Sequence, residues 1–189
     1  MAVGTLLAFD CLLRRRELCG IRARDVALPR DHRLGAYNSR TVIALPNTKT
    51  GEHQSVIVDR PAVALLLAEL VDCAASPDAL LFPFHPQHWF GHFRQACVAL
   101  GLGSDFVLHS LCHGGATHRY LVDGDSIEDV LTRGRWQSTS SARHYVQSGR
   151  AMLMAQEVPP SVHEAGLQAA RDGVPSALRV VYRSWLARR

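Results

Sequence analysis

The apolar positions of this chain gather in runs that predict helices. Residues 5–13 (TLLAFDCLL) predict a mostly buried helix that breaks at an arginine cluster, and a second short helix follows to about Gly20. Pro61 suits a first helical position and opens the run PAVALLLAELV, which predicts a core helix. A further helix is predicted over about 87–100, so the chain is expected to be mainly helical.

Two β-branched runs with a turn between them predict a hairpin. The runs cover 40–46 and 54–59, and residues 47–52 between them carry turn residues that include Gly51. Lys49 would therefore lie on an exposed loop. The expected fold class is α+β, mainly helical, with a small antiparallel β-hairpin sheet.

The second half of the chain contains three more helical signals. Ser126 with Asp129 three residues later is a capping-box pattern, which predicts a helix that ends near Arg133. The runs 150–158 and 176–187 also look helical, and a Pro-Pro pair and a polar linker separate them.

The composition is that of one ordinary globular domain. The chain has 189 residues, of which 47% are hydrophobic and 20% charged. Its five cysteines are odd in number and form no C-x-x-C pair, which predicts reduced thiols in an intracellular protein. No apolar run approaches the roughly 20 residues of a membrane span. We therefore expect a soluble protein, in the cytoplasm or nucleus, without a membrane partner.

Basic charge is concentrated near the start of the chain. The formal net charge is only +4, yet residues 14–40 hold eight arginines against Glu17, Asp25 and Asp31. Such a cluster suits a nucleic-acid backbone. The alternative is a solvated helix face and loop, which is the commoner explanation of a charge run.

Candidate chemistry is concentrated in HSLCHGGATH, RGRW and ARHYV. If HSLCH is helical, His109, Cys112 and His113 stand at i, i+3 and i+4 and share one face. Trp136 and Tyr145 follow at a separation of nine residues.

Two earlier elements complete the pattern. LRRREL contains Arg14 and Glu17 in an R-x-x-E arrangement, and NTKTGEHQSVIV carries Lys49, the single lysine among 21 basic residues. In this order the four elements resemble the tyrosine recombinase (phage integrase) family. Its hallmark is H-x-L-R-H, then G-H or G-W, then a nucleophilic tyrosine, and the GRW element is similar to the Trp variant of Cre-type recombinases.

The resemblance implies an integrase-type catalytic domain over 1–150 and a C-terminal helical tail over 151–189. In the family such a tail often docks on a neighbouring subunit, while folding back onto its own core is the alternative. The chain starts 13 residues before Arg14. The domain is therefore expected to be N-terminally truncated and to lack the separate core-binding domain.

The same resemblance implies DNA recombination or integration, as in a mobile element, through a 3′-phosphotyrosyl intermediate. Tyr145 would be the nucleophile, Arg14 would bind nonbridging phosphate oxygens, and Lys49 would protonate the leaving oxygen. No metal or small-molecule cofactor is implied. The expected partners are double-stranded DNA and further copies of the chain assembled on it.

Other positions have supporting roles in this scheme. His109 would handle a proton or bond a phosphate oxygen, His113 would assist or stay structural, and Trp136 would offer an N–H group or a packing wall. The residues predicted to contact DNA are arginines, namely Arg15, Arg16, Arg22, Arg24, Arg40, Arg119 and Arg135.

Cys112 departs from the family pattern, because it occupies the position of the second catalytic arginine. A neutral thiol supplies neither the charge nor the paired donors, so strand cleavage is expected to be strongly impaired. Arg119 and Arg135 are the candidates to replace the missing arginine, although neither occupies the matching position.

Three rival interpretations remain open. His109, Cys112, His113 and His118 are zinc-ligand types within a short span, although no second pair completes a familiar ligand set. A second rival is an integrase remnant that binds DNA or a recombinase subunit without cutting. In the third, Tyr145 and His109 are ordinary packed residues.

Overall fold

The computed structural model describes residues 1–31, 39–48, 51–103 and 105–173. Within these ranges the helices, α1 to α9 in chain order, are Ala2–Asp10, Arg15–Gly20, Pro61–Asp72, Pro86–Ala99, Leu108–His118, Ile127–Gly134, Thr139–Tyr145, Ser148–Glu157 and Pro160–Asp172. The strands, β1 to β3, are Val26–Ala27, Thr41–Thr48 and Gly51–Val58. The expected α+β class with a small antiparallel sheet is confirmed.

The sheet is a hairpin with one short strand added at its edge. Strands β2 and β3 pair antiparallel with Ile43 opposite Val56, and β1 pairs antiparallel with β2 through Val26 and Ile43. Alternate residues point to opposite faces of a strand, and Ile43, Leu45, Val56 and Val58 are all buried. The predicted hairpin is therefore confirmed, with strands that extend further towards the turn.

Helix α1 lies at the centre of the main core. Leu7 is fully buried and belongs to one cluster with Leu18 of α2, Ile43 of β2, Leu67 of α3 and Trp89 of α4. The predicted core helix over Pro61–Asp72 is thereby confirmed. Its first-turn proline removes an N–H group that has no partner in a helix.

A second, smaller cluster lies under the C-terminal half of the described chain. It joins Leu12 to Ala116, Val130, Trp136 and Ala142, and all five are buried. Helices α5, α6 and α7 are therefore packed against the end of α1. The Ser126–Asp129 capping box that begins α6 is present as predicted.

The first predicted helix begins and ends three residues earlier than expected. The run 5–13 was expected to be helical throughout, but α1 ends at Asp10 and Leu12 has a φ of +50°. This left-handed conformation is unfavourable for a leucine. Tertiary hydrogen bonds to the backbone of Cys11 and Leu12 hold it in place.

The prediction of a polar linker after the Pro-Pro pair is wrong for most of that segment. Residues Pro160–Asp172 form α9, with Pro160 at the first helical position. Pro at that position has a φ already suited to the helix, so the second proline starts a helix. The predicted helix 176–187 lies outside the described residues. Among the described residues, no helix is long and apolar enough to cross a membrane.

Helices α1 and α5 approach closely at a glycine. A Cβ added to Gly115 would lie 2.1 Å from the carbonyl oxygen of Phe9 and 2.7 Å from the Leu12 side chain. The first contact is with backbone, which cannot rotate away. Only glycine therefore allows α5 to pack at this distance from α1.

We expect Gly115→Ala to lower the free energy of unfolding by about 1–3 kcal/mol or more, because overpacking at backbone forces the two helices apart. Urea unfolding measures this. Gly149→Ala is the matched control, since an added Cβ there meets nothing within 4 Å. Equal stability of the two variants would contradict the close approach.

Candidate active site

Helix α5 brings the predicted site residues together. His109 and His113 stand one turn apart on this helix, and their ring centroids are 4.9 Å apart. Tyr145, the last residue of α7, lies with its ring centroid 5.3 Å from that of His109 and 4.6 Å from that of His113. The fold therefore brings together three residues that are separated by up to 36 positions in the sequence.

The Tyr145 ring is held between two other rings. It stacks on Trp136 at a centroid distance of 4.1 Å and an interplanar angle of 16°, and on His113 at 4.6 Å and 23°. Trp136 is itself buried in the smaller core cluster. The indole therefore forms a rigid wall that limits where the phenol ring can go.

Arg14 lies at the first turn of α2, where a buried carboxylate orients it. Glu17 accepts from the Arg14 backbone N–H at 2.8 Å with one oxygen and from the guanidinium at 2.8 Å with the other. The Glu17 side chain is only 4% exposed, whereas that of Arg14 is 21% exposed. Glu17 thus fixes the Arg14 side chain and leaves part of its guanidinium open.

A cavity of about 420 Å³ lies between Arg14 and helix α5. It is lined by Arg14 from α2, by His109 and Cys112 from α5, and by the exposed Arg15 and Arg16. Three positions predicted for phosphate chemistry therefore face one space, and two further arginines lie at its rim. This is a suitable environment for an anion.

Cys112 lies at the bottom of that cavity and is buried. Its thiol donates to the carbonyl oxygen of Leu13 over 3.3 Å. Burial, followed by the nearby Glu17 carboxylate, raises the pKa of the Cys112 thiol to about 12. The thiol is therefore neutral at physiological pH and supplies no charge to an anion.

The histidines beside Tyr145 are held in their neutral form. Partial burial, followed by the nearby Arg14 and His144, lowers the pKa of His109. Partial burial, followed by His109, lowers the pKa of His113. A neutral imidazole has one N–H donor and one acceptor nitrogen, so each histidine is able to accept a proton near pH 7.

Arg135 is buried in the fold, so its predicted DNA contact is not supported. Its side chain is only 3% exposed and donates to Glu17 at 3.0 Å, to the Leu12 carbonyl at 2.9 Å and to the Cys11 carbonyl at 3.2 Å. A guanidinium has five N–H donors in a fixed fork, which lets one residue hold several oxygens. Arg135 is therefore a structural residue beneath the site.

Neighbouring side chains hold the same turn. Arg133 donates to the carbonyl of Asp10 at 2.8 Å, and Cys112 donates to that of Leu13. With Arg135, these side chains bind four successive carbonyls immediately before Arg14. The turn that delivers Arg14 to the cavity is consequently determined by α5 and α6.

Arg119 is also engaged within the protein, so its predicted DNA contact is not supported. Its guanidinium pairs with Asp125 and with Asp59 at 3.3 Å, and its side chain is 15% exposed. Arg119 also lies beyond the end of α5, in a wider helical turn that spans Arg119–Asp123. Arg119 does not line the cavity that Cys112 shares with Arg14.

The other predicted DNA contacts are more exposed. Arg24 pairs with Asp78, and Arg22 donates to the carbonyl of that residue. The Arg40 side chain is 65% exposed and 3.8 Å from Asp59. Lys49 lies outside the described residues, and its predicted role stays a prediction.

A metal centre finds no support in the described part of the chain. No group of three or more histidine, cysteine or acidic side chains is arranged there to hold an ion. His118, one of the considered ligands, packs against the Phe9 ring and lies 3.6 Å from Asp123.

The sequence predicted no role for His144. It marked Glu17 only as part of a motif match. Glu17 stands three residues after Arg14, and an acidic residue at that spacing is a known capping signal. The His144 ring lies 5.7 Å from that of His113, so a third imidazole borders the tyrosine. Its position directly before Tyr145 is the only sequence signal.

Solved DNA recombinases share this architecture. The chain is similar to XerA recombinase, with a TM-score of 0.59 and 18% identity over 82% of this chain and 55% of that one. It is also similar to XerH site-specific recombinase bound to difH substrate, with a TM-score of 0.58 and 17% identity over 77% and 41%. The chain has the fold of a tyrosine recombinase catalytic domain.

A transposon integrase completes the comparison. The Tn1549 integrase in complex with circular intermediate DNA matches with a TM-score of 0.55 and 18% identity, over 80% of this chain and 56% of that one. The chain thus spans about half the length of these structures. No protein-family model and no curated protein matches it. The tyrosine recombinase fold is therefore established by structure alone.

We expect Arg135→Met to lower the free energy of unfolding by about 3–5 kcal/mol, because it leaves the buried Glu17 carboxylate and two carbonyls short of a partner. Arg15→Met is the matched control, since Arg15 is exposed and such a change usually stays within about 0.5 kcal/mol. Urea unfolding compares them. Similar midpoints for both variants would contradict a structural role for Arg135.

Acidification should destabilise the fold through the site histidines. The folded pKa values of His109, His113 and His118 are lowered, so below about pH 6.5 the unfolded chain binds more protons than the folded chain. Stability conferred by the neutral rings is therefore present at pH 7.5 and lost as the pH falls through 6.5 towards the folded pKa values. Urea unfolding at a series of pH values measures this.

The variant that carries both His109→Gln and His113→Gln should show a weaker loss of stability between pH 7 and pH 5.5. NMR titration of the two imidazoles provides a direct check of the lowered pKa values. Ordinary values near 6.5 for both rings would contradict the assignment.

Proposed function

We propose that this chain is the catalytic domain of a site-specific DNA recombinase or integrase that cleaves and rejoins strands through Tyr145. The observation that carries this proposal is the position of His109, whose ring lies beside that of Tyr145 while His109 also lines the cavity that contains Arg14. The similar XerH and Tn1549 structures contain DNA, which supports double-stranded DNA as the substrate.

Tyr145 acts as the nucleophile in this proposal. Its phenolic oxygen bonds to the scissile phosphorus while the bond from phosphorus to the 5′ oxygen breaks. The phenolic proton passes to a neutral histidine, and the ring of His109 lies 5.3 Å from that of Tyr145. The 5′ oxygen takes up a proton, for which the single lysine, Lys49, is the proposed donor.

The resulting 3′-phosphotyrosyl bond retains the energy of the broken phosphodiester. A free 5′ hydroxyl of a second strand then attacks the phosphorus and releases the tyrosine, so strand exchange requires no nucleotide. Arg14 neutralises charge on the nonbridging oxygens during both steps. Its pairing with Glu17 orients the guanidinium before DNA arrives.

Cys112 weakens this chemistry. A second cation at the bottom of the cavity would face the same phosphate as Arg14, yet the thiol there is neutral and donates to Leu13. Loss of one preorganised donor to an oxyanion costs about 10²–10³ in rate. Arg119 and Arg135 are engaged elsewhere, so we infer that cleavage is strongly impaired.

Assembly follows from the same proposal. Residues 1–150 would form the catalytic domain, and 151–189 would form the tail that meets a second copy on DNA. Two exposed apolar residues of α8, Met152 and Leu153, are 62% and 65% exposed, which supports a contact made by this helix.

A second candidate function is DNA or subunit binding without cleavage. The buried, neutral Cys112 favours it, because this thiol has a structural hydrogen bond in place of a charge. The two candidates differ in one outcome, since only a cleaving protein forms a covalent bond to DNA.

Covalent trapping on nicked, random-sequence duplexes separates them. We expect little or no adduct from the parent chain and at least about 10²-fold more from Cys112→Arg, because the new guanidinium enters a cavity that already contains Arg14. Tyr145→Phe in that background is the control and should abolish the adduct.

The remaining outcomes are equally informative. Adducts from the parent chain would contradict the inferred impairment, and the residue that compensates would have to lie elsewhere. Absence of adducts from Cys112→Arg, with the protein folded, would favour the non-cleaving candidate.

A further inference from the structure

The chain leaves helix α7 directly at the proposed nucleophile. Val146 already has extended backbone angles, with φ at −80° and ψ at 99°, and α8 begins at Ser148. The last carbonyls of a helix have no partner within the helix. The carbonyl of Tyr145 therefore depends on hydrogen bonds from outside α7.

Thr117 of helix α5 supplies them on both sides of this point. Its hydroxyl donates to the carbonyl oxygen of Tyr145 over 3.3 Å and accepts from the backbone N–H of Gln147 over 3.1 Å. Thr117 is only 5% exposed, so water does not readily replace these bonds. A threonine hydroxyl in a helix is able to bond to the backbone of its own helix. The Thr117 hydroxyl instead caps the end of α7.

Thr117 and His113 act on Tyr145 from one face of α5. They stand four residues apart, which places them one above the other on the helix. His113 stacks on the phenol ring at 4.6 Å, while Thr117 holds the peptide that carries this ring. With Trp136 on the other side of the ring, the tyrosine is fixed at its backbone and on both faces.

We propose that Thr117 is a positioning residue for Tyr145. Its hydroxyl fixes the end of α7, so that the phenol stays between His113 and Trp136 and its oxygen meets the scissile phosphate in line. The catalytic part of this inference rests on the proposed role of Tyr145 as nucleophile. A displacement of about 1 Å at a reacting group is enough to cost about 10²-fold in rate.

The test compares Thr117→Val, which keeps the shape and loses the hydroxyl, with Thr117→Ser, which keeps the hydroxyl. The first readout needs no DNA. The ring protons of Tyr145, identified by comparison with Tyr145→Phe, should be shifted upfield by the stacked indole in the parent chain and in Thr117→Ser. In Thr117→Val they should move towards their unstacked positions.

The second readout is the rate of covalent adduct formation in the Cys112→Arg background at saturating DNA. Thr117→Val should slow this step by about 10²-fold while DNA affinity stays as in the background protein, and Thr117→Ser should keep most of the rate. A residue that only supported the fold would lower affinity and rate together, and serine would not rescue it selectively.

Unchanged Tyr145 ring shifts in Thr117→Val would overturn the inference whatever the rates are. So would a displaced ring with an unchanged adduct rate. Absence of adducts from Cys112→Arg with Thr117 intact would overturn the proposed function itself, while the NMR comparison would still decide whether Thr117 fixes the tyrosine.

Discussion

The site depends on one buried carboxylate. Glu17 pairs with Arg135 at 3.0 Å. Its carboxylate also accepts from the backbone N–H and from the guanidinium of Arg14. An unpaired charge at this depth would cost several kcal/mol, so the three groups stabilise one another only as a set. Arg135 in turn holds the carbonyls of Cys11 and Leu12. One ion pair thereby sets the turn from α1 into α2 and the direction of the residue proposed to bind phosphate.

Helix α5 transmits this arrangement to the other half of the site. Its face towards α1 carries Cys112, which bonds the Leu13 carbonyl, and Gly115, which allows the close approach of the two helices. Its face towards α7 carries His113 and Thr117, which contact the ring and the backbone of Tyr145. A small shift of α5 would therefore disturb both the cavity around Arg14 and the packing around Tyr145.

Cys112 shows how one position can satisfy packing and yet lack the charge that the proposed chemistry requires. The thiol fills the end of the cavity and satisfies a backbone carbonyl, so the fold loses nothing visible at this point. An arginine side chain there would extend into the space that Arg14 lines and add a second cation. At this position, the packing of the fold and the charge required by the proposed strand cleavage are therefore separable.

The sequence by itself determined the elements and the membership of the site. Turn chemistry and β-branched runs predicted the hairpin, because these signals are local, and the resemblance of the motifs to tyrosine recombinases predicted that Tyr145, His109 and Arg14 share one site. Only the tertiary structure decided which arginines are free. Arg135 is buried against Glu17, while Arg15 is exposed at the cavity rim. Burial and ion pairing depend on partners distant in sequence, and no local pattern specifies them.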